Sequence, residues 1–198
     1  MRAHPIFSPT PLKIAQTPVP MRNSATHKPI APTAPENMPT IRRALPADAD
    51  VLTRLMHASS AYRGAYASIL EGYALSPAQI ERDAVHVYED AAAVLGFYSL
   101  TRRGDESELD LMFVADAAQG RGIGAALFAH LRALAEKCGV RTIRIVAHPP
   151  AEAFYLHRGA RRVGTQAPAG KVAWPRPILA LDVTVDGDAA RPLGAERT

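Results

Sequence analysis

The chain has 198 residues, 47% of them apolar and 21% charged, a balance that excludes a collagen-like or wholly disordered polypeptide. No apolar run approaches the roughly 18 to 20 residues of a membrane helix. With Cys138 as the only cysteine, neither an internal disulfide nor a multi-cysteine metal site can form, so the expectation is a cytoplasmic domain with no membrane partner and no metal. The net charge of +4 gathers at the N-terminus, where Arg2, Lys13, Arg22 and Lys28 meet one acid, Glu36. The remainder is nearly neutral and lacks the concentrated basic face that nucleic acid requires.

Nine of the seventeen prolines fall within residues 1–39. That density removes backbone donors and blocks helix, which predicts a disordered extension over 1–39. Prolines also interrupt every candidate secretory stretch; a transit peptide, or a start at Met21 or Met38, are the other readings of this segment. A domain is expected over 40–185 and a disordered tail over 186–198.

Thr40–Leu45 reads as a strand, and Pro46 opens a helix with Asp48 and Asp50 near its positive end. Val51, Leu52, Leu55 and Met56 recur at helical spacing and mark its buried stripe. Ser76-Pro77-Ala78-Gln79 has the form of a capped helix start. Val85–Tyr88, Val94–Leu100 and Leu109–Val114 are strand-like, joined around Asp90 and around Gly104-Asp105, which predicts an antiparallel meander. A helix from about Gly122 to Lys137 closes at Gly139. Then come a strand over Arg141–Ala147, a short helix over Ala151–His157 ended by Gly159, and a last strand over Pro177–Val185. The order predicts a single α/β domain, a mixed and mostly antiparallel sheet flanked by helices.

The most informative stretch runs from the strand ending at Phe113-Val114 through Gln119-Gly120-Arg121-Gly122-Ile123-Gly124-Ala125 into a helix. Glycines let a backbone approach a ligand closely, and free N–H groups at a helix start favour a phosphate. Arg121 would add a charged contact. Gly120-x-Gly122-x-x-Ala125 formally satisfies a dinucleotide fingerprint, but the preceding strand follows a meander. The next strand, Arg141–Ala147, also offers no acid for a ribose.

The other pattern is Gln119-x-x-Gly122-x-Gly124, followed about 30 residues later by Ala151-Glu152-Ala153-Phe154-Tyr155 and Gly159-Ala160. Together these resemble the GNAT-type N-acetyltransferases, over about residues 40–185. The resemblance implies acetyl-CoA as co-substrate, held by Gln119, Gly120, Arg121, Gly122, Ile123, Gly124 and Ala125 at its pyrophosphate. Its pantetheine arm would lie along Met112, Phe113 and Val114, whose backbone N–H groups would steady the developing oxyanion. Tyr155 matches the family's proton donor to the leaving thiolate. For the base, the resemblance points to an acid on the strand before the turn, Glu108 first and Asp110 second; two-residue spacing puts both on one face. His148, just past a strand end, is a further candidate.

Relatives often carry Asn or Asp-Pro-Asn where this chain has His148-Pro149-Pro150, so no side-chain contact from that loop to the pantetheine is carried over. Cys138 lies at a helix C-terminus, which disfavours a thiolate and a covalent acetyl-cysteine, leaving direct attack in a ternary complex. The acceptor, a small-molecule amine, would sit between Ser60–Tyr73 and Gln166–Arg176, with Tyr62, Tyr66, Tyr73 and Trp174 available to stack or hydrogen-bond. The resemblance is compatible with a homodimer. A non-catalytic acyl-CoA sensor on the same fold, and an NADP-binding protein, are the alternatives.

Overall fold

The computed structural model describes residues 38–103 and 106–183. Residues 1–37 of the expected extension, the Gly104-Asp105 connection, the end of the expected last strand and the 186–198 tail lie outside them. Seven strands, β1 Thr40–Arg43, β2 Ala84–Asp90, β3 Ala93–Arg103, β4 Glu106–Val114, β5 Thr142–Val146, β6 Arg161–Gln166 and β7 Arg176–Asp182, form one sheet. Their order is β1-β2-β3-β4-β5-β7-β6. Every neighbouring pair is antiparallel except β4 with β5, which are joined through a helix.

Strand alternation divides the core between the two faces of the sheet. On one, Phe97, Phe113, Val85 and Val87 pack beneath α1 (Ala49–Ala58) and α2 (Pro77–Arg82). On the other, Tyr98, Ile143, Ile145 and Leu179 meet Leu127, Phe128 and Leu131 of α3 (Ile123–Lys137), while α4 (Glu152–Leu156) adds Tyr155. The expected stripe of α1 is seen: Leu52 and Met56 are fully buried, with Val51 and Leu55 packed beside them. α2 starts as its sequence predicts, Ser76 Oγ accepting from the Gln79 N–H at 3.1 Å. Among the described residues no helix is long and apolar enough to cross a membrane.

At three places local structure departs from the sequence reading or adds to it. The first strand stops at Arg43, because Pro46–Asp48 forms a 3-10 turn held by the Leu45 N–H on Asp48 Oδ2 at 2.7 Å. Ser60–Tyr62 and Gly64–Leu70 are 3-10 segments. β6 was not anticipated as a strand: its one β-branched apolar residue, Val163, is exposed, so Arg161–Gln166 carries no alternation to read.

The feature that positions the site is a bulge. Pairing of β3 with β4 runs Ser99↔Leu111 and then Leu100↔Leu109, leaving Asp110 as an extra residue on β4. Leu111 accordingly packs with the α1 side and Leu109 with the α3 side, two residues apart yet in opposite cores. Parallel pairing with β5 ends at Leu109↔Ile145, although β4 continues to Val114. Beyond the bulge the two central strands diverge and a cavity opens between them.

Away from that cavity, His86 of β2 stacks on Tyr98 of β3 at 5.2 Å and lies 4.8 Å from the His130 ring of α3. The His86 Nδ1 is buried without a partner. Burial first, then the charges of His130 and of Arg43 on β1, lower its pKa to about 4. The folded protein thus holds His86 neutral where the unfolded chain, near 6.5, takes up a proton. Its contribution is complete above about pH 6.5 and is lost as pH falls through about 4. Denaturant midpoints measured down that range should fall more steeply for the wild type than for His86→Leu; parallel curves would remove His86 as the cause.

Candidate functional site

The cavity between the diverging strands has a volume of about 340 Å3. Its walls are β4 from Leu109 to Val114, β5 and its extension from Ile145 to His148, the segment carrying Ser59, Ala61 and Tyr62, and Arg176 at the start of β7. The Ala115 N–H donates to Leu95 O at 2.9 Å. Alternation along an antiparallel pair then turns the Phe113 N–H toward β3 and the Met112 and Val114 N–H groups toward the opening. Two backbone donors therefore line a space where the sheet supplies no strand partner.

A second cleft, of about 420 Å3, lies along Gln119, Gly120, Gly122, Gly124 and Ala125. Gly122 is the N-cap of α3 at φ +80°, a conformation that glycine adopts without strain. The turn thus delivers the first N–H groups of a 15-residue helix to the cleft, a setting suited to a phosphate. The two spaces share Met112, Val114, Gln119, Ala151 and Tyr155, so they meet at Tyr155.

The expected site residues separate into groups. Met112, Val114, Gln119, Gly120, Gly122, Ile123, Gly124, Ala125 and Tyr155 line the second cleft; Phe113 lines only the first cavity. Arg121 lines neither: it bonds Asp90 Oδ2 at 3.0 Å, across from the turn. Of the two acids, Asp110 lines the first cavity and Glu108 does not, its carboxylate taking Arg144 Nη1 at 2.8 Å. The bulge parts them, since counting by twos does not carry across an extra residue. Tyr62 and Tyr73 line the cavity; Tyr66 and Trp174 stand behind it, edge to face at 4.8 Å.

Arg158 is the cleft residue that sequence reading missed. Its guanidinium sits 4.6 Å above the Phe154 ring, and its Nε is buried without a partner. In the sequence it is one of nineteen arginines, and only the turn after α4 brings it to the cleft. Phe154 packs against the core and lines the cleft as well.

Burial keeps the site's ring groups neutral. It drives the Tyr155 phenol well above its ordinary pKa, with Tyr62 adding to the effect. It also pushes Tyr62 up to about 12 against the opposing charge of Arg176. No hydrogen bond to the Tyr155 hydroxyl is formed among the described residues, so its proton is uncommitted. His148 donates from Nε2 to Ala61 O at 2.8 Å, which leaves Nδ1 bare, buried and unpartnered. Burial lowers its pKa, and Tyr62 stacks on the ring at 4.4 Å with Tyr66 at its edge. Enclosed in this way, His148 braces the cavity wall.

Asp116 connects the two spaces. One carboxylate oxygen accepts the Ser60 N–H at 2.9 Å and the other accepts Gln119 Nε2 at 3.0 Å. Asp116→Ala frees both partners and should cost about 1 kcal/mol of positioning, seen as a severalfold rise in KM for the acceptor. An unchanged KM in steady-state kinetics would show that the Ser60 segment holds its place without this link.

The family model described as an acetyltransferase (GNAT) domain matches residues 66–172. Among solved structures, the ribosomal-protein-S18-alanine N-acetyltransferase of Escherichia coli superposes with a TM-score of 0.59 at 21% identity, over 77% of this chain and 98% of that one. A probable acetyltransferase from Staphylococcus epidermidis superposes with a TM-score of 0.63 at 17% identity, over 74% and 100%. The PaiA N-acetyltransferase of Thermoplasma acidophilum, solved in complex with coenzyme A, gives 0.55 at 16%, over 73% and 98%. Among curated proteins no sequence matches significantly. β4, α3 and β5 do form a parallel crossover around the turn, yet β5 (Thr142–Val146) brings no acid for a dinucleotide's ribose. With its central strands parted at a bulge, its glycine turn at the head of α3 and the match over residues 66–172, this chain belongs to the GNAT acetyltransferase family.

Proposed function

We propose that the protein transfers an acetyl group from acetyl-CoA to the primary amine of a small acceptor, by direct attack within a ternary complex. The observation that carries this reading is the meeting of the glycine-turn cleft with the splayed-strand cavity at Tyr155 and at the backbone of Met112 and Val114. Support for the co-substrate comes from the α3 N-terminus, from Gly120 and Gly122 at positive φ, and from the unpartnered Arg158 Nε beside them. The likeness to a structure solved with coenzyme A agrees.

When bound, acetyl-CoA supplies an activated acyl carbon and a thiolate leaving group. The chain's own residues do the rest. The Met112 and Val114 N–H groups are the donors available to charge developing on the carbonyl oxygen, fixed in place without reorganisation. The amine forms the new N–C bond as the C–S bond breaks. Asp110 takes the amine's proton, a role the resemblance assigned first to Glu108, whose carboxylate holds Arg144 and does not line the cavity. Tyr155, kept protonated by burial, gives its proton to the thiolate and recovers one from solvent.

Calorimetric titration with acetyl-CoA, and with NADPH in parallel, tests the reading. Saturable heat with acetyl-CoA alone is expected; heat with NADPH alone would overturn it.

A further inference from the structure

The acceptor cavity contains a cation with no counter-ion among the described residues. Arg176 lines it, beside the residues that would face the amine. Its Nε is buried and has no hydrogen-bond partner, and among the described residues no carboxylate reaches its guanidinium. The ionisable neighbour whose charge balance it affects is Tyr62, and burial keeps that phenol protonated, so it offers Arg176 no negative charge. A donor buried on a cavity wall, as the Arg176 Nε is, costs free energy unless a ligand completes it.

The remaining charge on the walls is the opposite one. Among the described residues Asp110 is the only acid lining the cavity, carried there by the bulge. His148 lines it too, but burial favours its neutral form, with Nε2 donating to Ala61 O. Ile69, Leu70, Leu111 and Phe113 complete an apolar lining. One cation, one anion and an apolar floor are the complement of a small zwitterion with an apolar body. Arg176 belongs to the acceptor cavity and is absent from the lining of the glycine-turn cleft, so the phosphates of a bound nucleotide are not its natural partner.

We propose that the acceptor is an amine that carries its own carboxylate, an amino acid, with Arg176 as the residue that binds the carboxylate and Asp110 on the amine side. This rests on the acetyl-transfer reading above. The product is then an N-acetyl amino acid with free CoA thiol: the acceptor's ammonium first gives up one proton to solvent, the N–C bond is made as the thioester C–S bond breaks, the second amine proton passes to Asp110, and Tyr155 supplies the proton of the thiol. A planar, bidentate guanidinium suits a carboxylate better than it suits a neutral amide. Recognition therefore turns on that one group, and the side chain of the acceptor is read by the apolar walls.

The test uses the full chain, acetyl-CoA, and a panel of the twenty free amino acids. Each is paired with its amide and, where one exists, its decarboxylated amine; CoA thiol release is followed. The best acid is expected to exceed its amide and its amine by about 10- to 100-fold in kcat/KM, the range of one charge-assisted contact. Arg176→Gln should collapse that ratio toward one, with the loss falling on KM for the acid, while Arg176→Lys keeps part of the preference. Acetyl-CoA titration of each variant serves as its loading control. Amides or plain amines turned over as well as acids by the wild type would overturn the proposal, and so would silence toward every acid by a protein that binds acetyl-CoA. Failure to bind acetyl-CoA would strike instead at acetyl transfer itself, and the two failures are separated by the titration.

Discussion

Tyr155→Phe is expected to lower kcat by about 10²- to 10³-fold, the usual scale for loss of a positioned general acid, and to leave the dissociation constant for acetyl-CoA unchanged. The substitution removes one oxygen from a ring that packs 5.2 Å from Phe154 and 6.0 Å from Phe128. Phenylalanine keeps those contacts, so the fold and the cleft should persist. What disappears is a hydroxyl placed where the two cavities join and hydrogen-bonded to no group among the described residues. The pH profile sharpens the result. Burial raises the phenol above its ordinary value of about 10, so its proton stays in place across the working range. The wild-type rate should therefore not decline through this group between about pH 8 and 10. Steady-state kinetics with calorimetry decide the matter; an unchanged kcat in the variant would take the proton-donor role from Tyr155.

Much of this arrangement is legible in sequence because it rests on local rules. The apolar spacing from Val51 to Met56, the Ser76 cap and the glycine turn at Gly122 each depend on neighbours within a few residues. What depends on a register does not show. Asp110 becomes an extra residue only because β3 pairs Ser99 with Leu111 and Leu100 with Leu109. No composition signal in Leu109-Asp110-Leu111 announces that slip. Two-residue counting put Glu108 and Asp110 on one face, whereas with the slip Asp110 lines the cavity and Glu108 holds Arg144. The charged residues failed in a related way. Arg121 stands in the turn by sequence but reaches Asp90, whereas Arg158 comes to the cleft from beyond α4 and Arg176 to the acceptor cavity from the start of β7. Long side chains are placed by the tertiary neighbours that compete for them, and those neighbours lie far along the chain. A turn carried by backbone can be read from sequence; the placement of a long charged side chain cannot.

Replacing Gly122 should separate backbone strain from ligand contact. Gly122 holds φ +80°, and a Cβ built there meets nothing within 4 Å. An alanine would thus not collide with the protein; it would bear the cost of a left-handed backbone, about 1 kcal/mol, and would project into space beside the turn. Gly139 offers the matched control, since it has φ +70°, an equally open Cβ direction and a place just past the other end of α3. Gly122→Ala and Gly139→Ala should therefore lower the denaturant midpoint by similar amounts. Only Gly122→Ala should weaken acetyl-CoA binding, and Gly122→Val, whose branched side chain adds bulk over the α3 N-terminus, should weaken it beyond about 100-fold, the loss expected when several charge-assisted backbone contacts go together. Binding lost equally in both alanine variants would mean that the helix responds as a unit to strain. Binding retained in Gly122→Val would mean that the diphosphate does not approach the backbone at this turn, and the route from the glycine cleft to Tyr155 would no longer describe how the donor is held.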